Sequence, residues 1–229
     1  MVRFGAERFE TMRITDCKGL IYDWDGVAYR SVETTWNGVL HVFDRCGMTK
    51  PDFRDFIEHA DQPIVSFYRK FGILGHIPER RIGELFSGAV QHRRDTLFDD
   101  IRFGLAEQRD HGYPVSLVTA RHSRSLNRLL DEHGCRSLFD HILATNGRDK
   151  RPFLLEACRR MQLAPKLVAT VGDQASDMRQ GRECGLFPVG MIRHRHDVED
   201  ILRRAGARHV VRDIDTITRL LTDHVSLMI

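Results

Sequence analysis

The feature that most limits how this chain can fold is a short apolar run that recurs and each time stops at a polar or glycine-containing turn. Residues 19–22 stop at Asp23-Trp24-Asp25-Gly26, and 115–118 at Thr119-Ala120. Residues 141–144 stop at Thr145-Asn146-Gly147, and 167–171 at Gly172-Asp173. Two further runs, 187–192 and 209–211, follow. They are short, partly β-branched and nearly continuous, the pattern of strands covered on both faces. Between them, residues 98–111, 123–133, 152–161 and 175–184 read as helices. Ser123 stands where a capping serine would, and Gly134 and Gly185 where helices stop. This alternation predicts an α/β fold: a doubly wound, Rossmann-like parallel sheet. Such sheets take ligands outside the carboxyl ends of their strands, where the polar turns lie.

Residues 33–94 break the alternation. Amphipathic helical patterns run over 36–46 and 53–71, Pro51, Pro63 and Pro78 punctuate the segment, and it holds no clear strand. So long a stretch without structure of its own is uncommon. The expectation is a small α-helical cap domain over 33–94, inserted into a core domain made of 1–32 and 95–229, with hinges near 30–33 and 94–97.

Composition narrows the function classes. The formal net charge is only +3 and the arginines are scattered, which argues against nucleic acid as a partner. The five cysteines include no CxxC pair, so reduced thiols fit better than a disulfide framework or structural zinc. The first residues lack a signal peptide's apolar stretch, and no run is long enough to cross a bilayer. A cytoplasmic protein with no membrane partner is expected; oligomeric state is not legible.

The turns carry the chemistry. Asp23 and Asp25 are two apart at a strand end, so both carboxylates face one spot. Such neighbours repel unless a positive charge intervenes or one holds a proton. Asp173 and Asp177, four apart at another strand end, share one side of a starting helix. Oxygen ligands of this kind suit Mg²⁺, which also bridges to substrate phosphate. Thr119 and the N–H of Ala120 offer donors to phosphate oxygens. Lys150 supplies a compact positive charge that can neutralise a carboxylate and a phosphoryl group together.

In this pattern the sequence resembles the haloacid dehalogenase superfamily, in the helical-cap branch that includes phosphoglycolate phosphatase-like enzymes. Asp23-Trp24-Asp25-Gly26-Val27 resembles the family's DxDG(T/V) motif, Thr119 its Ser/Thr motif, Lys150 before Pro152 its lysine motif, and Gly172 to Asp177 its GDxxxD motif. The resemblance spans nearly the whole chain. It implies a phosphatase acting on a small phosphorylated metabolite, with Asp23 as nucleophile forming an aspartyl-phosphate and Asp25 as general acid and base. It also implies Mg²⁺ held by the Asp23 carboxylate, the Asp25 backbone carbonyl and Asp173, with Asp177 acting through water. Thr119, Ala120 and Lys150 would hold the phosphoryl group.

A phosphomutase would use the same motifs and stands as the alternative. Carbon–halogen hydrolysis fits less well, because a halide leaving group needs no acid at Asp25. Carbon–phosphorus cleavage fits less well because no cap lysine is placed to form a Schiff base. A silent binding protein is a further reading, which the intact acids oppose. The chain departs from many relatives at Arg30-Ser31, where they carry an acidic residue before the serine. Arg30 is either an exposed hinge arginine or a site for a second anionic group of the substrate. His76, Arg80, Arg81, His92 and Arg93 are the cap candidates for substrate selection. Trp24 is read as packing behind the strand end, and His194 and His196 as surface residues in a basic loop.

Overall fold

The computed structural model describes residues 12–60, 64–91 and 94–222. Six strands form one sheet: β1 (Gly19–Tyr22), β2 (Val115–Thr119), β3 (His141–Ala144), β4 (Val168–Gly172), β5 (Phe187–Met191) and β6 (His209–Val211). Their order is β3-β2-β1-β4-β5-β6 and every pairing is parallel. Ile21 on β1 stands level with Ser116 on β2 and Thr170 on β4. The strands β1, β2, β4 and β5 are buried along their full length, which explains why they read as nearly continuous apolar runs. The chain leaves β1 toward β2 on one side and returns to β4 on the other. The crevice between the carboxyl ends of β1 and β4 is therefore the topological switch point, where a doubly wound sheet binds its ligand.

Between β1 and β2 lie α1 (Val32–Arg45), α2 (Phe53–His59), α3 (Val65–Lys70) and α4 (Glu79–Val90). The pattern over 53–71 predicts one helix; the structure has two, α2 and α3. Asp52 caps α2, its carboxylate accepting from the Asp55 N–H at 2.7 Å. The two chain passages that connect this helical insertion to the sheet run side by side. Tyr29 bridges Leu97 in antiparallel fashion, the Arg30 N–H donates to Thr96 O at 2.8 Å, and Thr34 Oγ1 donates to Asp95 at 2.6 Å.

The remaining helices flank the sheet: α5 (Ile101–Asp110), α6 (Ser123–Glu132), α7 (Arg151–Arg160), α8 (Ala175–Glu183), α9 (Glu199–Ala205) and α10 (Ile214–Thr222). Ser123 is not the cap of α6. His122 occupies that position, and the Ser123 N–H donates to the Asn146 side chain at 2.8 Å, so a neighbouring strand-end loop satisfies the helix start. One apolar cluster lies against the sheet around Tyr22, Trp24 and Leu117. Another unites the insertion (Phe43, Phe56, Phe67, Ile73) with Met178 of α8 and Ile201 and Leu202 of α9.

The basic loop after β5 departs from expectation. His194 is buried and His196 half-buried, because Phe53 of α2 packs on both rings, 4.7 Å from His194 and stacked 4.1 Å from His196. Burial pushes the His194 imidazole down to about 4, so it stays neutral at ordinary pH.

Candidate active site

The first turn places the two acids that the sequence singles out. Asp23 follows β1 directly, and its N–H donates to Val171 O at 2.9 Å, which ties it to β4. Its carboxylate accepts from the Trp24 N–H at 2.7 Å and from Lys150 Nζ at 2.7 Å. Trp24 is fully buried and stacks on Tyr29 with ring centres 5.4 Å apart, so its expected packing role holds. Asp25 faces a different set. Arg121 grips it with both Nε, at 3.1 Å, and Nη2, and Ser31 Oγ donates to it at 2.6 Å.

Gly26 makes the turn possible. Its φ is +76°, and a Cβ there would stand 2.1 Å from Asp173 Oδ2 and 2.6 Å from Val32 Cγ2. Gly26→Ala should therefore cost more than the ~1–2 kcal/mol of a left-handed residue, because Asp173 must also move. The expected result is a melting temperature several degrees lower, read by thermal melts. An unchanged melting temperature would mean that Asp173 yields its place without cost.

Asp173, just past β4, and Asp177, on the first turn of α8, complete the acid group. Carboxylate oxygens of Asp23, Asp173 and Asp177 all lie within 4.8 Å of one another. Lys150, at the start of α7, donates from Nζ to Asp23 and Asp177 at 2.7 Å each. Asp177 also accepts from the Gln174 N–H at 3.1 Å, in a capping box that fixes its rotamer. Burial pushes the Asp23 carboxyl up to about 7, with Asp177 and Asp25 adding to the rise and Lys150 opposing it. Burial also raises Asp173 well above the usual carboxylate range, with Asp177 and Asp23 contributing. For Lys150 burial opposes the charge, but the two carboxylates prevail and push the ammonium up. Three crowded carboxylates with one lysine between two of them are a hard-oxygen donor set with negative charge to spare, which fits Mg²⁺.

Thr119 ends β2 and is fully buried; its Oγ1 accepts from the Arg121 N–H at 3.2 Å. Thr119, Ala120, Lys150 and the four aspartates all line one cavity of about 470 Å³, roofed by the helical insertion. The selectivity candidates do not. Arg30 turns to Asp99 at 2.9 Å and stacks over Phe98, 4.5 Å from the ring centre, beside the chain passages into the insertion. Arg80 is exposed and pairs with Glu84, as does Arg81. His76 is exposed and is not part of the cavity wall. His92 and Arg93 lie outside the described residues. Arg121 is the site residue that the strand-end pattern misses. Its signal is its place two residues beyond Thr119, on the same turn.

A doubly wound sheet that gathers acids, a lysine and a threonine at its switch point, under an inserted helical roof, defines a class of Rossmann-like proteins equipped to hold an anion and a cation together. Within that class the chain belongs to the haloacid dehalogenase-like hydrolase family, whose sequence profile matches residues 20–191. It is 22% identical over 194 residues to the phosphoglycolate phosphatase of Psychrobacter arcticus, covering 75% of this chain and 82% of that protein. It is 24% identical over 193 residues to the phosphoglycolate phosphatase of Chromobacterium violaceum, covering 79% and 87%. Among solved structures, a haloacid dehalogenase-like protein of unknown function from Agrobacterium tumefaciens superposes with a TM-score of 0.73 at 17% identity, covering 91% of this chain and 99% of that one. At that identity the likeness is one of fold.

Proposed function

We propose that this chain is a Mg²⁺-dependent phosphatase of the cytoplasm that hydrolyses a small phosphorylated metabolite, with residues 33–94 acting as a cap over the site. The observation that carries the reading is the arrangement at the switch point: the Asp23 carboxylate, bonded to Lys150 and crowded by Asp173 and Asp177, faces a cavity that also holds Thr119. Among the described residues no helix is long and apolar enough to cross a membrane.

In this reading an Asp23 oxygen attacks phosphorus in line with the ester oxygen. The phosphorus–ester bond breaks, Asp25 gives the departing oxygen its proton, and an aspartyl-phosphate remains. Asp25 then takes a proton from water, whose oxygen attacks phosphorus and releases inorganic phosphate and Asp23. Mg²⁺ held by Asp23 and Asp173, with Asp177 nearby, would supply positive charge against the phosphoryl oxygens. Lys150 adds a fixed charge beside the nucleophile, and Thr119 and the Ala120 N–H donate to the phosphoryl oxygens. Asp25 starts each cycle gripped by Arg121. The incoming ester offers Arg121 another anion and so frees Asp25, which takes the proton of the ester monoanion and carries it to the leaving oxygen; the proton it later takes from water departs with inorganic phosphate as Arg121 regrips the carboxylate.

The test is a panel of phosphate esters with Mg²⁺ or EDTA, in which inorganic phosphate and isomerised substrate are both followed. Phosphate release that EDTA abolishes is expected. Isomerisation without phosphate release would transfer the assignment to a mutase.

A further inference from the structure

The proposed chemistry accounts for the floor of the cavity and leaves its roof unassigned. That roof is largely apolar: Phe56, Val65, Ile82 and Phe86 line it, from α2, α3 and α4. Among the described residues the insertion puts no lysine, arginine or histidine into the wall. Several of its described cations pair elsewhere: Arg54 with Asp200, Lys50 with Asp44, and Arg80 and Arg81 with Glu84. The two cations that do line the cavity are Lys150 and Arg121, and both are already engaged by its carboxylates. A further carboxylate, Glu79, stands in the roof. A leaving group with a negative charge of its own would meet hydrocarbon and like charge there.

One roof residue is polar, buried and unmatched. Tyr68 of α3 lines the cavity and is 1% exposed, and its hydroxyl has no hydrogen-bond partner among the described residues. Buried hydroxyls are nearly always bonded, and an orphan beside a ligand cavity points to a partner on the ligand.

We propose that the site takes the phosphate monoester of a neutral alcohol with an apolar skeleton and one hydrogen-bonding group, which the Tyr68 hydroxyl recognises, and that it rejects esters bearing a carboxylate. This rests on the phosphatase reading and separates the chain from the phosphoglycolate phosphatases it resembles, because among the described residues the cavity holds no cation for a glycolate carboxylate beyond Lys150 and Arg121, which serve the nucleophile and the phosphoryl group.

The experiment compares butyl phosphate, 4-hydroxybutyl phosphate, 4-phosphonooxybutanoate and phosphoglycolate. kcat/KM is measured with Mg²⁺, and Kd by calorimetry on Asp23→Asn protein, which binds without turnover. Neutral esters should exceed carboxylate esters on the order of 100-fold in both measurements. Tyr68→Phe, with its fold checked by melting, should lower kcat/KM for 4-hydroxybutyl phosphate about tenfold more than for butyl phosphate. A preference for either carboxylate ester would overturn the proposal, and so would an equal loss on both neutral esters in Tyr68→Phe. If no ester is hydrolysed, the phosphatase reading fails, and the order of the Kd values alone decides which ligand the cavity selects.

Discussion

Asp23→Asn protein should lose turnover by about 10⁴-fold or more while its melting temperature, in EDTA at pH 8, stays at or above that of the wild type. The catalytic loss follows from replacing the attacking carboxylate with an amide, which cannot form the aspartyl-phosphate. The stability half rests on the surroundings of Asp23. Burial raises its carboxyl to about 7 from an ordinary 3.8. Between those values the folded state holds a proton that the unfolded state has released. Stability therefore falls as pH rises through this window, and the favourable contribution is gone above about 7. Asparagine is neutral at every pH, and its carbonyl can still accept from Trp24 N–H or Lys150. Phosphate release and thermal melts check the two halves. Wild-type activity in pure Asp23→Asn protein would end the nucleophile assignment. A collapse in melting temperature would show that the carboxylate itself sustains the fold.

Lys150→Met should have the largest structural effect of any single change at the site. The ammonium is bonded to two buried carboxylates, and removing one member of a buried ion pair costs ~3–5 kcal/mol. The cost has a pH signature. At pH 5 Asp23 is protonated and asks little of a partner. At pH 8 the folded state must either carry the charge uncompensated or keep a proton that the unfolded chain gives up. The deficit in melting temperature should thus be larger at pH 8 than at pH 5, where the lost bond to Asp177 still counts, and Mg²⁺ should recover part of it at pH 8 by supplying the missing positive charge. kcat/KM should fall on the order of 10²–10³-fold, since a fixed charge at the transferring group is lost. Equal destabilisation at both pH values would show that Lys150 does not act by compensating the charge of Asp23.

The strands and the acids at their ends are legible in the sequence because both follow from local pattern. A strand buried on both faces is largely apolar, as β1 and β4 are, and a chain that leaves it at a ligand edge must turn, as Gly26 allows at a φ of +76°. What escapes sequence reading depends on contacts between distant segments. Arg121 looks like one more arginine until β2 and β1 are laid side by side and Asp25 falls within its reach. His194 and His196 read as solvent-facing because the residue that covers them, Phe53, is far away in the chain. Ser123 carries the signature of a cap, but Asn146 from the next strand end satisfies that helix start instead. Arg30 has the charge for a substrate anion, yet Asp99 and Phe98 hold it beside the passages into the insertion.

The apolar cluster that joins the insertion to α8 and α9 bears on how such proteins can be recombined. Phe56 and Phe67 share one interior with Met178, Ile201 and Leu202, and Phe53 is set against His194 and His196. The roof is thus not a removable module hung on two linkers. A chimera cut at the linkers, with the roof of a relative grafted onto this sheet, would put foreign side chains against Met178 and Ile201 and leave the two histidines uncovered. New specificity is more safely sought by changing side chains on the cavity face of α3 and α4, or by exchanging the roof together with α8, α9 and the loop that carries His194.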